Sequence, residues 1–509
     1  MECLNISSDL SEMQSLKKNM DDFFLIIMGC LVFFMQAGFA FLEAGSVRSK
    51  NTTNILLKNF LNVCLSSMVF YACGFALAFG HPSTPFSGYR FFFLENLSRN
   101  CYAFWFFHLF FATTASTIVS GALAERTEFV AYLICSCVIS GFIYPIVAHW
   151  EWAEDGWLKI GPNKLEFKDY AGCGAIHIVG GTASLIGAIF VGPRLGRFDE
   201  KGRSHPIEGH TLPQIALGGF ILFFGFFGFN GGAHMKISDP GDGAYVAHSV
   251  INTILSGSTG AITSMAVRRL FYRKKHWSLV VAINGGLTGM VSNGAGSNVV
   301  APWGGALTGV VAGLLYIFCS SCLVKFKIDD PLNATAVHLG GGIWGLLSVP
   351  LLDYNTGILL VLTSNPDTVL FAFKSLGWNV LGTLVIILWT AVFSCATFAI
   401  LKMVGKLRVS ADVELKGLDL AKHGEAAYPL SAYGHGWEEE VEEAEDDDLD
   451  EPQNGKINIG MDREGDAVHV NASEVNTEDE AAHVFVSEEK TEDDVAHVYF
   501  GKEIEDDKM

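Results

Sequence analysis

Two histidines in matched surroundings are the side chains of this chain best suited to chemistry. His177 follows Asp169 by eight residues, His338 follows Asp330 by eight residues, and glycines come soon after both histidines. A neutral imidazole offers one hydrogen-bond donor and one acceptor, so two such rings can hold a proton or a small hydrogen-bonding molecule. Both histidines lie in long apolar stretches, where an ionisable group is costly and is by default a functional candidate. The alternative is a pair hydrogen-bonded for packing alone, and the symmetry of the two segments favours a function.

Long apolar runs are the elements that must position this pair. A spanning helix needs about 20 apolar residues. Eleven runs of this kind occur along the chain, at 23–45, 59–80, 101–123, 128–148, 170–192, 212–232, 245–267, 278–294, 301–323, 332–352 and 377–404. The eighth run is short and rich in glycine. Half of the residues are hydrophobic and only 17% are charged, so we predict an all-α integral membrane protein with eleven transmembrane helices in a lipid bilayer.

The spacing of the two histidine segments indicates an internal repeat. Their offset of 161 residues spans five predicted helices. Because five is an odd number, the fifth and tenth helices run in opposite directions. Inverted repeats of this kind gather their sites near the bilayer midplane, where the two halves meet. We therefore expect an inverted five-helix repeat followed by an eleventh helix, with His177 and His338 together at the centre of one protomer.

Basic residues in the short loops predict the orientation. Lysines and arginines follow the first, fifth, seventh and ninth helices, as in Arg194 and Arg197 or Arg268 and Arg269. Loops rich in these residues face the cytoplasm. The N-terminus would then be outside and the C-terminus inside, in a multi-pass protein of the plasma membrane.

Glycosylation sequons fall on both predicted sides of the membrane. Those at Asn5 and Asn96 lie on the outer side and are candidate glycosylation sites, which would make the chain a glycoprotein. Those at Asn51 and Asn471 lie inside and are expected to be silent.

Charge divides the chain into regions. The net charge is −20, but residues 438–509 hold 27 acidic and 5 basic side chains, a local charge of −22, which leaves +2 for residues 1–437. We predict an extracellular segment at 1–22, the eleven-helix domain at 23–404, a segment packed on it at 405–437, and an acidic, disordered tail at 438–509. No basic patch interleaves with aromatic residues, so no nucleic-acid partner is expected.

The residue types at membrane depth argue against metal, cofactor or enzyme chemistry. Two histidines with no nearby cysteine or third ligand make a poor metal site. No nucleophile and base lie together in the apolar runs, so an enzyme is the weakest alternative. We expect no cofactor and no metal.

Six ordered segments carry a family resemblance. Residues 37–54, AGFAFLEAGSVRSKNTTN, resemble the first helix and loop of ammonium transporters of the Amt branch of the ammonium transporter/Rhesus superfamily, in its eukaryotic form. The other segments similar to that family are GALAER at 121–126, DYAGCGAIH at 169–177, FGFN at 227–230, DDP…H at 329–338 and KGLDLAKHGE at 416–425. The resemblance covers roughly residues 20–430.

The resemblance implies a homotrimer in which each protomer has its own pore. It implies that Trp152, in the predicted outer loop with Trp150 and Trp157, lines an outer vestibule that binds the cation, and that Asp169 shapes this vestibule without touching substrate. Among the pore residues, Phe111 and Phe229 match a stacked gate, Phe107 accompanies Phe111 on the third helix, and His177 and His338 match the family's twin histidines.

Three positions depart from the family pattern. Ala233 stands where a serine often helps to bind the cation, and Phe226 stands where a tryptophan is common. Ala421 stands where plant relatives carry a threonine that acts as a phosphorylation switch, so that switch should be absent.

These observations together predict an ammonium transporter or channel, with methylammonium as an analogue. Ammonium would bind at the aromatic vestibule, lose a proton and cross as ammonia beside the twin histidines, with or without separate proton transfer. One alternative is a sensor that signals through its acidic tail with little flux. Another is the Rhesus branch, whose members usually have a twelfth helix and lack the vestibule tryptophan.

Overall fold

The computed structural model describes residues 12–272 and 276–433. The sequons at Asn5 and Asn471 and the acidic segment 438–509 lie outside these ranges. Within them, regular structure is helical, and the only strand-like pairings are isolated bridges.

Ten helices of the described residues are long and apolar enough to cross a membrane. With one shorter apolar helix, α8, they are α1 Glu12–Ser46, α2 Ser49–Phe79, α3 Arg99–Leu123, α4 Phe129–Trp152, α5 Cys173–Val191, α6 Leu212–Gly232, α7 Asp242–Leu270, α8 Leu279–Asn293, α9 Pro302–Lys325, α10 Thr335–Leu352 and α11 Pro366–Met403. Each predicted apolar run corresponds to one of these helices, and the short eighth run corresponds to the short α8.

Three helices begin about ten residues earlier than their apolar runs predict. Helix α1 starts at Glu12 rather than 23, α2 at Ser49 rather than 59, and α11 at Pro366 rather than 377. The extension of α1 is polar and is held by side chains: Lys17 Nζ lies 2.9 Å from Asp239 Oδ1, and Asp21 Oδ1 accepts hydrogen bonds from the backbone of the α6–α7 loop. A hydrophobic run reveals only the apolar part of a helix. Polar extensions such as the start of α1 are therefore not detected.

Glycine allows the backbones of neighbouring helices to approach closely. A Cβ atom added to Gly309 on α9 would lie 2.1 Å from the Ser256 carbonyl oxygen on α7. Close approach through small residues is the usual way in which membrane helices associate. The abundance of glycine in this chain is therefore chiefly a packing feature.

The two segments that carry the histidines have similar local structures. Asp169 accepts hydrogen bonds from the backbone amides of residues 172–174, at 2.6–3.0 Å. Asp330 accepts them from the amides of residues 334 and 335, at 3.1 and 2.7 Å. In each half the capped turn continues as a wide π-helical turn that carries the histidine, at Cys173–Ile178 and Thr335–Gly340. The aspartates recur because each one satisfies the free amides at the start of a half-buried helix.

One face of the bundle, here called the tail face, consists of the loops after α1, α3, α5 and α9 together with residues 405–433. The backbone amide of Leu418 donates to Asn51 Oδ1 at 3.0 Å, and Asp419 Oδ1 accepts from the amide of Asn54 at 2.9 Å. Burial raises the pKa of Asp419, although amides of the α2 start oppose this. Residues 418 and 419 are thus fixed to the helix bundle by hydrogen bonds between backbone amides and side-chain oxygens.

Candidate functional site

The centre of the bundle brings the two histidines of the repeat together. His177 Nδ1 lies 3.1 Å from His338 Nδ1, and the rings are nearly parallel, with centroids 5.2 Å apart. Both side chains are buried, at 1% and 6% exposure. Only one of the two Nδ1 atoms can donate this bond, so one ring carries its hydrogen on Nδ1 and the other on Nε2. The pair therefore offers one donor and one acceptor at its Nε2 atoms.

The Nε2 atom of His177 is buried and has no hydrogen-bond partner among the described residues. A buried polar atom of this kind needs an explanation, because most such atoms are paired with protein or water. Its ring lies against Phe226 and Phe229, at centroid distances of 5.9 and 5.5 Å. Phe39 of α1 adjoins His338 on the other side of the pair, at 6.3 Å. The histidines thus form the polar part of a column of rings.

Two phenylalanines stack directly above this polar part. The ring centroids of Phe111 and Phe229 are 4.4 Å apart and their planes differ by 21°. Both side chains are completely buried. Phe107 lies one turn away on α3, 4.7 Å from Phe111, and packs against Gly232, where an added Cβ would come within 2.7 Å of the Phe107 ring. The stacked pair is therefore a fully buried contact between α3 and α6.

Trp152 continues the column beyond the phenylalanines. Its ring centroid is 6.0 Å from that of Phe111, and its indole Nε1 donates to the Asp169 carbonyl oxygen at 2.9 Å. The prediction that Trp150 and Trp152 lie in a loop is wrong, because both belong to the last turn of α4. The apolar run ends before these tryptophans, so it does not predict the last turn of the helix. In that turn the indole Nε1 of Trp150 donates to the Phe86 carbonyl oxygen at 3.0 Å.

Asp169 is held by backbone amides at the start of α5. Its carboxylate is occupied by the three amides that begin α5, and its carbonyl holds Trp152. Burial raises the pKa of this carboxyl, and the amide donors oppose that rise. Asp169 is therefore hydrogen-bonded both to Trp152 and to the start of the helix that carries His177.

Several side chains that matter to this arrangement were not found from the sequence. Lys168, next to Asp169, pairs with Asp353 at the end of α10, with 2.7 Å between Nζ and Oδ2. His108, which follows Phe107 on α3, is completely buried among aromatic rings. A charge directly before the capping aspartate could have pointed to Lys168, whereas nothing in the phenylalanine-rich α3 distinguishes His108.

Two remaining predictions concern other sites. Asn96 lies in the α2–α3 loop and is exposed, on the face opposite the tail face. No group of three or more histidine, cysteine, aspartate or glutamate side chains in residues 12–272 and 276–433 is arranged to hold a metal ion.

Comparison with known proteins gives a consistent picture. Residues 23–428 match the model of the Ammonium Transporter Family. A Caenorhabditis elegans protein assigned as ammonium transporter 1 is 47% identical over 436 residues, which cover 82% of this chain and 81% of that protein. Ammonium transporter 1 member 3 of Solanum lycopersicum is 38% identical over 444 residues, covering 83% and 96% of the two chains.

Solved structures show the same architecture. A sensor Amt protein superimposes with a TM-score of 0.74 at 33% identity, covering 80% of this chain and 99% of its own. Mep2 of Candida albicans superimposes with a TM-score of 0.69 at 22% identity, covering 82% and 92%, and supports the fold alone.

Proposed function

This chain belongs to the ammonium transporter family, and from that premise we propose that it conducts ammonium as ammonia along the column of rings from Trp152 to His338. The observation that carries this mechanism is the order of the rings. Trp152, Phe111, Phe229, His177 and His338 follow one another with centroid distances of 4.4–6.0 Å. In this order, a cation would first meet an attractive aromatic face, then a constriction between two phenylalanine rings, and then hydrogen-bonding groups.

A comparison of cation–π and desolvation energies decides whether the substrate crosses as ammonium or as ammonia. An aromatic face attracts a desolvated cation by about 2 kcal/mol. Removing water from an ion costs an idealised ~20 kcal/mol, and still several kcal/mol after relaxation. The rings of Trp152 and Phe111 can therefore concentrate ammonium at the entrance, but they cannot carry the intact ion past the stacked phenylalanines.

Loss of a proton resolves this difficulty. Burial disfavours the charged form of an amine, so ammonium gives up a proton more readily at the dry constriction than in water. Ammonia that emerges beyond Phe229 finds the Nε2 atoms of His177 and His338, one a donor and one an acceptor. Potassium and sodium ions have no proton to release, so the same route excludes them. The released proton either returns to the outside or crosses separately along the histidine pair.

The topology that we propose follows from the loop charges. Helices α1 to α11 cross the membrane, with the N-terminus outside, and the tail face is cytoplasmic because its loops carry Arg194, Arg197 and their basic neighbours. We further propose a homotrimer in the plasma membrane with a separate route in each protomer. Asn96 is then accessible to glycosylation.

Two departures from the family pattern adjust this mechanism. Phe226 places a phenyl ring on His177, with planes 29° apart, where a tryptophan is common in the family. Ala233 supplies no hydroxyl to the entrance. We propose that selectivity among small amines differs from that of relatives which carry the tryptophan and serine.

Isotope uptake tests the proposal against the sensor alternative. In cells that lack their own ammonium transport, the chain should produce saturable uptake of labelled methylammonium, and ammonium should compete with it. Binding of ammonium without measurable flux would contradict transport and favour a sensor. Uptake of potassium at a comparable rate would contradict the deprotonation step.

A further inference from the structure

An imidazole adjoins each member of the stacked phenylalanine pair. His177 lies against Phe229, with 5.5 Å between ring centroids, and His108 lies against Phe111, at 5.8 Å. His108 is also 6.0 Å from Trp152. It therefore occupies the entrance side of the phenylalanines, as His177 occupies the far side.

The hydrogen on the His108 ring can be placed from its surroundings. Its Nδ1 atom is 3.0 Å from the carbonyl oxygen of Phe104, one turn earlier on α3. A carbonyl oxygen only accepts, so Nδ1 carries the hydrogen and the Nε2 atom of the neutral ring is an acceptor. That Nε2 atom is buried, and no donor among the described residues reaches it. The structure thus holds a hydrogen-bond acceptor that has no protein donor.

The surroundings of this acceptor suit a small cation. Five aromatic rings enclose His108, at centroid distances of 4.1–6.0 Å, namely Phe79, Phe104, Phe107, Phe111 and Trp152. Aromatic faces attract cations but accept hydrogen bonds poorly, so an ammonium ion among these rings lacks a strong acceptor for its N–H groups. The free Nε2 atom supplies one.

Position 233 supplies no hydroxyl group that could accept a hydrogen bond from ammonium at the entrance. Ala233 follows Gly232, which packs on Phe107, and alanine has no polar atom in its side chain. An acceptor for the guest at the entrance must then come from elsewhere, and His108 is the buried acceptor that adjoins both Trp152 and Phe111.

We propose that His108 binds ammonium at the entrance by accepting an N–H hydrogen bond at Nε2, before the guest passes Phe111 and Phe229. This inference rests on the proposed function. The Trp152 face attracts any small organic cation, whereas Nε2 discriminates in favour of cations that carry N–H groups. His108 therefore sets the preference for ammonium and methylammonium over fully methylated ammonium ions.

Substitution of the ring separates these two contributions. His108→Phe keeps an aromatic ring of similar size but removes the acceptor. In transport-deficient cells that express the full chain, the half-saturating concentration of methylammonium should rise about tenfold, as expected for a lost hydrogen bond to a charged group. The inhibition constant of tetramethylammonium, which has no N–H group, should stay the same. An unchanged methylammonium affinity, or an equal shift for both cations, would overturn the assignment.

A second variant and a control keep the result interpretable. His108→Gln retains a side-chain carbonyl as acceptor and should restore most of the methylammonium affinity; a loss as large as that of His108→Phe would overturn the role of an acceptor. His205→Phe, at an exposed histidine of the tail face, should match the wild type. If the wild type itself carries no methylammonium, the proposed function fails; if the wild type carries it and His108→Phe has the same methylammonium affinity, this inference alone fails.

Discussion

The amino group of Lys168 lies 2.7 Å from the carboxylate of Asp353, and this ion pair has a counterpart of reversed charge at the other end of the same two helices. There, Asp329 Oδ2 accepts from Arg194 Nε at 2.8 Å. In each case the residue before the capping aspartate of one repeat helix pairs with a residue within three positions of the end of the other repeat helix. The antiparallel helices α5 and α10 are thus joined at both ends, and His177 and His338 lie between the two ion pairs.

A charge exchange tests whether the Lys168 pair aligns these helices. Lys168→Glu places two carboxylates together and should lower stability by about 2 kcal/mol, less than the roughly 3–5 kcal/mol expected for a fully buried pair. Methylammonium uptake should fall with it. The double variant Lys168→Glu, Asp353→Lys should recover most of both, measured by thermal unfolding in detergent and by uptake. Lys374→Glu, at an exposed position of α11, is the control. Failure of the exchange to restore either property would contradict an alignment role.

Removal of either central histidine should impair conduction. His177→Ala or His338→Ala leaves the other ring without its Nδ1 partner and opens a cavity, so we expect methylammonium uptake to fall at least about tenfold. The control is His205→Ala on the tail face. Wild-type rates in both central variants, at equal abundance in the membrane, would show that the pair serves packing alone.

Trp152 should act on affinity more than on the maximal rate. Trp152→Leu removes a cation-binding face worth about 1–2 kcal/mol, which corresponds to a rise of about tenfold in the half-saturating methylammonium concentration. Trp303→Leu, at a half-exposed tryptophan that begins α9, should leave the saturation curve unchanged. Superimposable curves for Trp152→Leu and the wild type would count against an outer binding site.

The tail face should contribute a component of stability that acid removes. Burial alone would raise the pKa of Asp329, but Arg194 and Arg126 outweigh it and lower that pKa to about 2. A carboxyl whose folded pKa is depressed stabilises the protein above its unfolded pKa and loses this effect as pH falls through the folded pKa, here from about 4 to about 2. Asp329→Asn should therefore cost about 2 kcal/mol at neutral pH and flatten the loss of stability in this window.

Thermal unfolding in detergent across pH measures that effect. Glu208→Gln, at an exposed carboxylate of the same face, should follow the wild-type curve. A variant at position 329 with the same acid dependence as the wild type would show that the charge of Asp329 does not stabilise the fold.

The adjacency of His177 and His338 could be predicted from the sequence because three simple features coincide. The two segments share a spacing, both lie in apolar runs, and an odd number of helices separates them. Together these features predict that the two rings lie close to each other, and their Nδ1 atoms are 3.1 Å apart. The stacked pair of Phe111 and Phe229 could be proposed only through family resemblance. Apolar character and helical spacing do not distinguish these two residues from the other phenylalanines of α3 and α6.

Other features lay beyond sequence reasoning for physical reasons. Lys168 and Asp353 are 185 residues apart, and a single charge at a membrane boundary gives no indication of its partner. His108 sits in a stretch of phenylalanines where helical spacing alone does not show which faces meet. The polar start of α1 at Glu12 has no hydrophobic signature, because its contacts are hydrogen bonds to a distant loop.

Release of a proton by the guest is the central claim, and a comparison of ammonium with potassium tests it most directly. Both are small monovalent cations, but only ammonium can become neutral. In liposomes that contain the purified protein, with protein-free liposomes as background, equal inward gradients of the two ions would be applied, and internal pH and internal potassium recorded. The account predicts protein-dependent entry of ammonium, seen as a change in internal pH above background, and no protein-dependent entry of potassium. Potassium entry at a rate comparable to that of ammonium would contradict it.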